Sequence, residues 1–338
     1  MQRLPGWWAT PLIGALGGWL ATLAGWPLPW MIGSLLAVIL VRCSGWRVGD
    51  LPHGRKLGQV LVATGLGLHF TREVLEQVVS HFGVIFAGAL GTLGLSLIGI
   101  LILRRAGVDR ATSFFASMPG GASEMANLAS RHGADVQRVA AAHSLRLLLV
   151  VLIIPALFAW KLPAAEPLPL PVDLRWLAVL LPAGLAAALL LRRWLPNPWM
   201  FGPLLVCGLA SASLDLHIAL PDGLGAMGQW LIGCSLGSHF DRPFFRSAPA
   251  FLARVLLFTL LAMLAAAGLG EALGWLAEID QVSLMLGMMP GGIAELSLTA
   301  EALHLSVALV TALQVLRLFL VLSLAEPLYR LWRRRCAQ

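Results

Sequence analysis

Met118-Pro119-Gly120-Gly121-Ala122-Ser123-Glu124-Met125 returns 171 positions later as Met289-Pro290-Gly291-Gly292-Ile293-Ala294-Glu295-Leu296. Other blocks repeat in the same order at nearly the same offset. Pro29-Trp30-Met31 with Gly33 returns as Pro198-Trp199-Met200 with Gly202. Gly58-Gln59 and Gly67-Leu68-His69-Phe70 return as Gly228-Gln229 and Gly237-Ser238-His239-Phe240. His143-Ser144-Leu145-Arg146 returns as Gln314-Val315-Leu316-Arg317. Matches in one order at one offset mean a duplicated unit of about half the chain. The first copy covers 7–160 and the second 172–330, with both expected to build one transmembrane domain.

Composition places these copies in a membrane. The chain is 58% hydrophobic and 12% charged, with a mean hydropathy of +0.82, whereas a soluble domain carries about 25% charged residues. The net charge of +7 comes from basic residues in short loops and at the C-terminus, so it argues for membrane topology and against nucleic acid. Tryptophans such as Trp7, Trp26, Trp160 and Trp194 fall at segment ends, where interfacial belts form. The four cysteines, Cys43, Cys207, Cys234 and Cys336, have no metal spacing and suggest packing. Only Arg3 precedes the first apolar run, which reads as a span and not a cleaved signal.

Six apolar segments can be drawn in each copy, near 7–23, 27–41, 57–70, 79–103, 111–130 and 139–160, then 174–191, 199–213, 224–240, 250–270, 281–300 and 306–329. The fifth of each contains the Pro-Gly-Gly break. Proline removes a helical donor and glycine tolerates unwound backbone, so this segment is a re-entrant hairpin or a broken spanning helix. If both are re-entrant and the N-terminus is cytoplasmic, Arg42, Arg47, Arg55, Lys56, Arg104, Arg105, Arg192, Arg193 and the tail 330–335 lie inside. Glu73, Glu76, Glu166, Glu271, Glu278 and Asp280 then lie outside, as the positive-inside rule requires. About five crossings per copy, an odd number, make the repeats inverted, with both termini cytoplasmic. The alternative makes 57–70 and 224–240 the re-entrant pair, with Pro-Gly-Gly in broken spanning helices.

Apolar inverted repeats with paired breaks are the layout of a secondary transporter, with its site at the repeat interface. Polar residues crowd both breaks: Ser113, Ser117, Ser123, Glu124, Asn127 and Ser130 in one, Ser283, Glu295, Ser297, Thr299 and Glu301 in the other. Backbone amides opened at Pro119-Gly120-Gly121 and Pro290-Gly291-Gly292 can attract an anionic group. Glu124 and Glu295 are candidate coupling groups, because burial disfavours a charged carboxylate unless it is paired. Arg146 and Arg317, each 22 positions downstream of the glutamate, can neutralise it or bind a solute anion. Ser123 is a candidate to bind the solute and Asn127, Gln59 and Gln229 to orient it, although an interhelical hydrogen bond is the plainer reading of the two glutamines. The exchange of His143 for Gln314 points to hydrogen bonding more than to protonation.

The Pro-Gly-Gly-x-Ser/Ala-Glu blocks, with His/Gln-x-x-Arg downstream, resemble the AbrB family of duplicated bacterial membrane proteins, whose members are labelled ammonia monooxygenase or regulator. The resemblance runs from about residue 10 to 330. It implies a polytopic inner-membrane protein and a transporter, of no particular solute. The layout is similar to the glutamate–sodium and 2-hydroxycarboxylate symporters, which work by an elevator motion. The expectation is therefore an all-α elevator-type transporter of a small anionic organic solute, coupled to H+ or Na+ and using no cofactor. It would sit in lipid as a homodimer, with the first two spans of each copy as scaffold and the elements near the breaks, 57–70, 111–160, 224–240 and 281–325, as the moving part. The eight histidines show no His-x-His or His-x-x-His spacing, so a monooxygenase, and an enzyme generally, is not expected. A membrane regulator acting through a bound solute is the other reading.

Overall fold

The structure, a computed structural model, describes residues 6–46, 48–161 and 170–335. Arg3, Arg47, Glu166 and Cys336 lie outside the described residues. Among the described residues every regular element is helical. The first half forms α1 (Ala9–Leu23), α2 (Pro29–Cys43), α3 (Gly54–Leu68), α4 (Arg72–Ser80), α5 (Phe82–Arg105), α6 (Arg110–Ser117), α7 (Ala122–Arg131) and α8 (Val136–Lys161). The second half forms α9 (Leu174–Leu190), α10 (Pro198–Leu214), α11 (Asp222–Gly237), α12 (Arg242–Ser247), α13 (Pro249–Ala277), α14 (Gln281–Met288), α15 (Ile293–Ala302) and α16 (Val307–Arg335). Among the described residues, five helical stretches are long and apolar enough to cross a membrane: Phe82–Arg105, Val136–Trp160, Leu174–Arg193, Pro249–Ala277 and Val307–Arg334.

Local chemistry sets the helix ends. Asp109 caps α6, accepting from the Thr112 amide at 2.8 Å. Asp280 caps α14, accepting from the amides of Val282 at 3.1 Å and Ser283 at 3.3 Å. Met118 and Met289, which precede prolines, take extended ψ values of 137° and 143°. The proline ring disfavours a helical residue before it, so α6 and α14 stop there. Leu28 and Asn197 both enter a helix from left-handed backbone (φ 49° and 48°), each just before a proline at the first helical position.

The chain forms two compact units, and each draws on both halves. The first unit contains Met1–Val79, Pro155–Arg246 and Glu301–Ala308. In it α1 packs on α2, α2 on α11, α11 on α3, α3 on α10 and α10 on α9. Small residues let these backbones approach: a Cβ at Gly17 would collide with the Gly33 carbonyl, and one at Gly33 with that of Gly17. A Cβ at Gly58 would meet the Gly228 carbonyl at 2.9 Å, and one at Gly228 the Gly58 carbonyl at 3.3 Å. The sequence suggested that 57–70 and 224–240 go with the breaks. They pack instead in this first unit, because Gly58 and Gly228 fit α3 against α11.

The second unit contains Ser80–Ile154, Ser247–Ala300 and Leu309–Gln338. Here α5 packs on α13, α6 on α5 and α14 on α13. It carries both Pro-Gly-Gly breaks.

Candidate functional site

The first break lies between α6 and α7, and the chain doubles back across it. The Asp135 amide, beyond the end of α7, donates to Thr112 Oγ1 near the start of α6 at 2.8 Å. The His132 ring lies over Phe115 at 5.6 Å between centroids and 14° between planes. The two half-helices therefore form a hairpin whose tip is Pro119-Gly120-Gly121.

Each tip is held by the arginine of the following long helix. Arg146 Nη1 donates to the Met118 carbonyl at 2.8 Å, and its Nη2 to the Gly120 carbonyl at 3.1 Å. Arg317 makes the matching pair, to Met289 and Gly291, both at 2.7 Å. Ending α6 and α14 frees carbonyls that helix bonds would have used, and buried carbonyls need donors. A guanidinium supplies several in a planar fork. Arg146 and Arg317 are 6% and 4% exposed, so the ties are buried. Glu124 forms no ion pair with Arg146 among the described residues.

The residue one turn before each arginine completes the tie. Arg146 Nη2 meets His143 Nδ1 at 3.0 Å, and His143 Nε2 meets the Phe115 carbonyl at 2.9 Å. An arginine only donates and a carbonyl only accepts, so His143 carries its hydrogen on Nε2. Gln314 presents the same pair of functions: Oε1 accepts from Arg317 Nη2, and Nε2 donates to the carbonyls of Gly287 at 2.6 Å and Met289 at 3.2 Å. That equivalence explains why histidine and glutamine replace one another.

The two tips lie against each other's arginine helices. A Cβ at Gly120 would meet Val321 of α16 at 3.0 Å, and one at Gly291 would meet Val150 of α8 at 2.8 Å. Neither glycine has the left-handed backbone that would require it, so closeness is what excludes larger residues. A cavity of about 20 Å³ opens between the tips, lined by Ser96, Ser117, Pro119, Arg146, Phe258 and Pro290 among others. That is room for about one water. The Nε of Arg146 and of Arg317 is buried with no hydrogen-bond partner.

Thus the second unit gathers Pro119, Gly120, Gly121, Ser123, Glu124, Asn127 and Arg146 with Pro290, Gly291, Gly292, Glu295 and Arg317. Gln59 and Gln229 belong to the first unit, Gln59 buried and Gln229 half-buried. The two breaks differ in exposure. Ala122, Ser123 and Asn127 are exposed and Glu124 is half-buried, whereas residues 293–300, Glu295 included, are buried. In that buried limb Ser297 and Thr311 hydroxyls pair at 2.7 Å, and Thr299 donates back to the Glu295 carbonyl. Sequence reasoning missed the caps Asp109 and Asp280, although an aspartate just before a short helix is a readable signal. It also missed His132, which lies 3.4 Å from Glu326 of α16 with no sequence signal to join them.

Two proteins of similar sequence and a family model match nearly the whole chain. A Bacillus subtilis (strain 168) protein named "Uncharacterized protein YhjN" is 29% identical over 94% of this chain and 91% of its own length. An Escherichia coli (strain K12) protein named "Putative regulator AbrB" is 28% identical over 90% of each chain. The family model described as "Transition state regulatory protein AbrB" matches residues 30–333. The chain belongs to the AbrB family.

Proposed function

We propose that this protein is a secondary active transporter of a small anionic organic solute, working by alternating access. The observation that carries the reading is the reciprocal meeting of the two breaks, Gly120 against Val321 and Gly291 against Val150. Equivalent residues that exchange partners in this way are expected of two copies related by a two-fold axis. The packing order of the first unit, symmetrical about α3 and α11, supports the same reading. In this reading the repeats are inverted, the hairpin return at Asp135 belongs to a re-entrant segment, and the second hairpin enters from the opposite side. The positive-inside pattern then puts both termini in the cytoplasm of a bacterial inner membrane.

Two half-helix N-termini and two buried guanidiniums make the crossing of the breaks attractive to an anion. Their carbonyl ties leave Arg146 and Arg317 to act mainly by charge and through Nε, while Ser123 and Asn127 orient the solute. The small cavity means that a solute enters only when the tips part. The second unit carries both tips, so in an elevator cycle it is the part that travels with the solute. Glu124 and Glu295 couple that movement to H+ or Na+, and the first two spans of each copy are the scaffold and homodimer contact. No enzymatic step is part of this reading. A regulator acting through a bound solute is the second reading, favoured by the names of the family and of the Escherichia coli relative.

A thermal-shift screen of purified protein against small carboxylates, amino acids and amines, with and without sodium, tests the proposal. Stabilisation by one anionic class, lost in Arg146→Lys, is expected. Stabilisation by amines alone would overturn it.

A further inference from the structure

Four buried polar side chains meet at the cavity between Pro119 and Pro290. Thr92 and Ser96 reach it from α5, Ser117 from the end of α6 and Arg146 from α8. All four belong to the first copy. Facing them, the second copy supplies Phe258, Ala262 and Met288. Thr92 stands 170 positions before Ala262, and Ser117 171 positions before Met288. At equivalent places, then, one copy presents a hydroxyl and the other an apolar group, so the cavity has one polar wall.

That wall carries a charge that its protein partners do not meet. Arg146 is 6% exposed, and its bonds run to two carbonyls and the accepting nitrogen of His143. Its Nε is buried without a hydrogen-bond partner in the protein. A buried cation with only neutral partners is costly, and an anion beside it relieves that cost. The cavity, about 20 Å³, has room for about one water. A carboxylate or phosphate is too large for it while the tips rest together, whereas a monatomic anion is not.

The three hydroxyls can serve such an ion. Thr92 donates to the Ala89 carbonyl at 2.7 Å, Ser96 to Leu93 at 2.6 Å and Ser117 to Ser113 at 2.8 Å. Each hydroxyl carries one hydrogen on a rotating bond, and carbonyls within a helix keep their amide partners when it turns away.

We propose that this cavity is a halide site, with Arg146 Nε as its charged donor and the Thr92, Ser96 and Ser117 hydroxyls turning to complete the shell. Chloride is the natural occupant. The site stands apart from the transport reading, because it requires only that the tips rest together, whether the protein moves a solute or senses one.

The test uses purified full-length protein in chloride-free gluconate buffer. Chloride, bromide and sulfate are titrated while thermal unfolding is followed in the wild type, in Ser96→Ala/Ser117→Ala and in Ser213→Ala. Ser213 is the control, since its hydroxyl bonds its own helix on an exposed face of the first unit. Chloride and bromide should stabilise the wild type saturably, and sulfate should not. The double variant should need roughly tenfold more halide, the scale of a lost hydrogen bond to a charged group, and Ser213→Ala should match the wild type. Anomalous scattering from bromide-soaked wild-type crystals should place the ion within hydrogen-bond reach of Arg146 Nε, a readout that needs no variant to fold. No saturable halide effect in the wild type, an effect unchanged in the double variant, or a cavity holding water and no bromide would each overturn the proposal.

Discussion

Arg146 donates to the Met118 carbonyl across 2.8 Å, tying a long helix to the last peptide before the first break. Arg317 repeats the bond to Met289 at 2.7 Å. Both arginines thus hold unwound backbone in place, whatever else they bind.

Arg146→Ala would leave the Met118 and Gly120 carbonyls without these donors. Hydrogen bonds to charged groups contribute about 1.5–3 kcal/mol each, so the loss should be about 3 kcal/mol or more. Lysine, with a single nitrogen, should recover only part of it. Melting temperatures of Arg146→Ala, Arg146→Lys and the Arg317 counterparts check both statements, and the two positions should behave alike.

The partners of those arginines make a finer prediction. His143→Gln and Gln314→His keep one acceptor towards the arginine and one donor towards a carbonyl. Each should change stability by less than about 1 kcal/mol, whereas His143→Leu should cost about 2 kcal/mol by stranding the Phe115 carbonyl. A thermal series over the three variants suffices, and a large loss in His143→Gln would mean that the imidazole has a role beyond these two bonds.

The caps Asp109 and Asp280 start the half-helices that lead into the breaks. Removing an N-cap costs about 1 kcal/mol, and Asp280 satisfies two amides where Asp109 satisfies one. Asp280→Ala should therefore lower the melting temperature more than Asp109→Ala, with asparagine restoring most of the loss in each.

Gly58 and Gly228 set how closely α3 and α11 approach. Gly58→Val would drive a branched side chain into the Gly228 carbonyl and Ile232, and overpacking of this kind costs roughly 1–3 kcal/mol. The change lies in the first unit, so it should lower stability or dimer yield without altering the solute preference measured by thermal shift.

The helices and breaks were legible in the sequence because apolar length, Pro-Gly-Gly and repetition are all one-dimensional signals. The pairing of Arg146 with Met118 and Gly120 was not legible, since a freed carbonyl has no residue type of its own. The sequence reading offered Glu124 as the partner instead. Glycine at the tips suits unwound backbone, but Gly120 and Gly291 also have little room for a larger residue, with Val321 and Val150 close beside them as well as Met125 and Leu296. Such contacts between distant residues leave no trace in one sequence. The allocation of α3 and α11 missed for the same reason: their glycines are visible, but the helix each faces is not. His143 and Gln314 are more legible, because their interchange points to hydrogen bonding more than to protonation, and both side chains are hydrogen-bonded to the arginine and to backbone carbonyls.

The most direct test of the account is the sidedness of the two tips. Ser123→Cys and Ala294→Cys, at equivalent places beside the breaks, can be introduced singly after removal of the four native cysteines. Each is then treated with a membrane-impermeant maleimide from one face at a time. Position 123 should react from the cytoplasmic face and position 294 from the external face, more slowly because Ala294 is buried. Reaction of both positions from the same face would contradict inverted repeats, and with them alternating access at the crossing of the breaks.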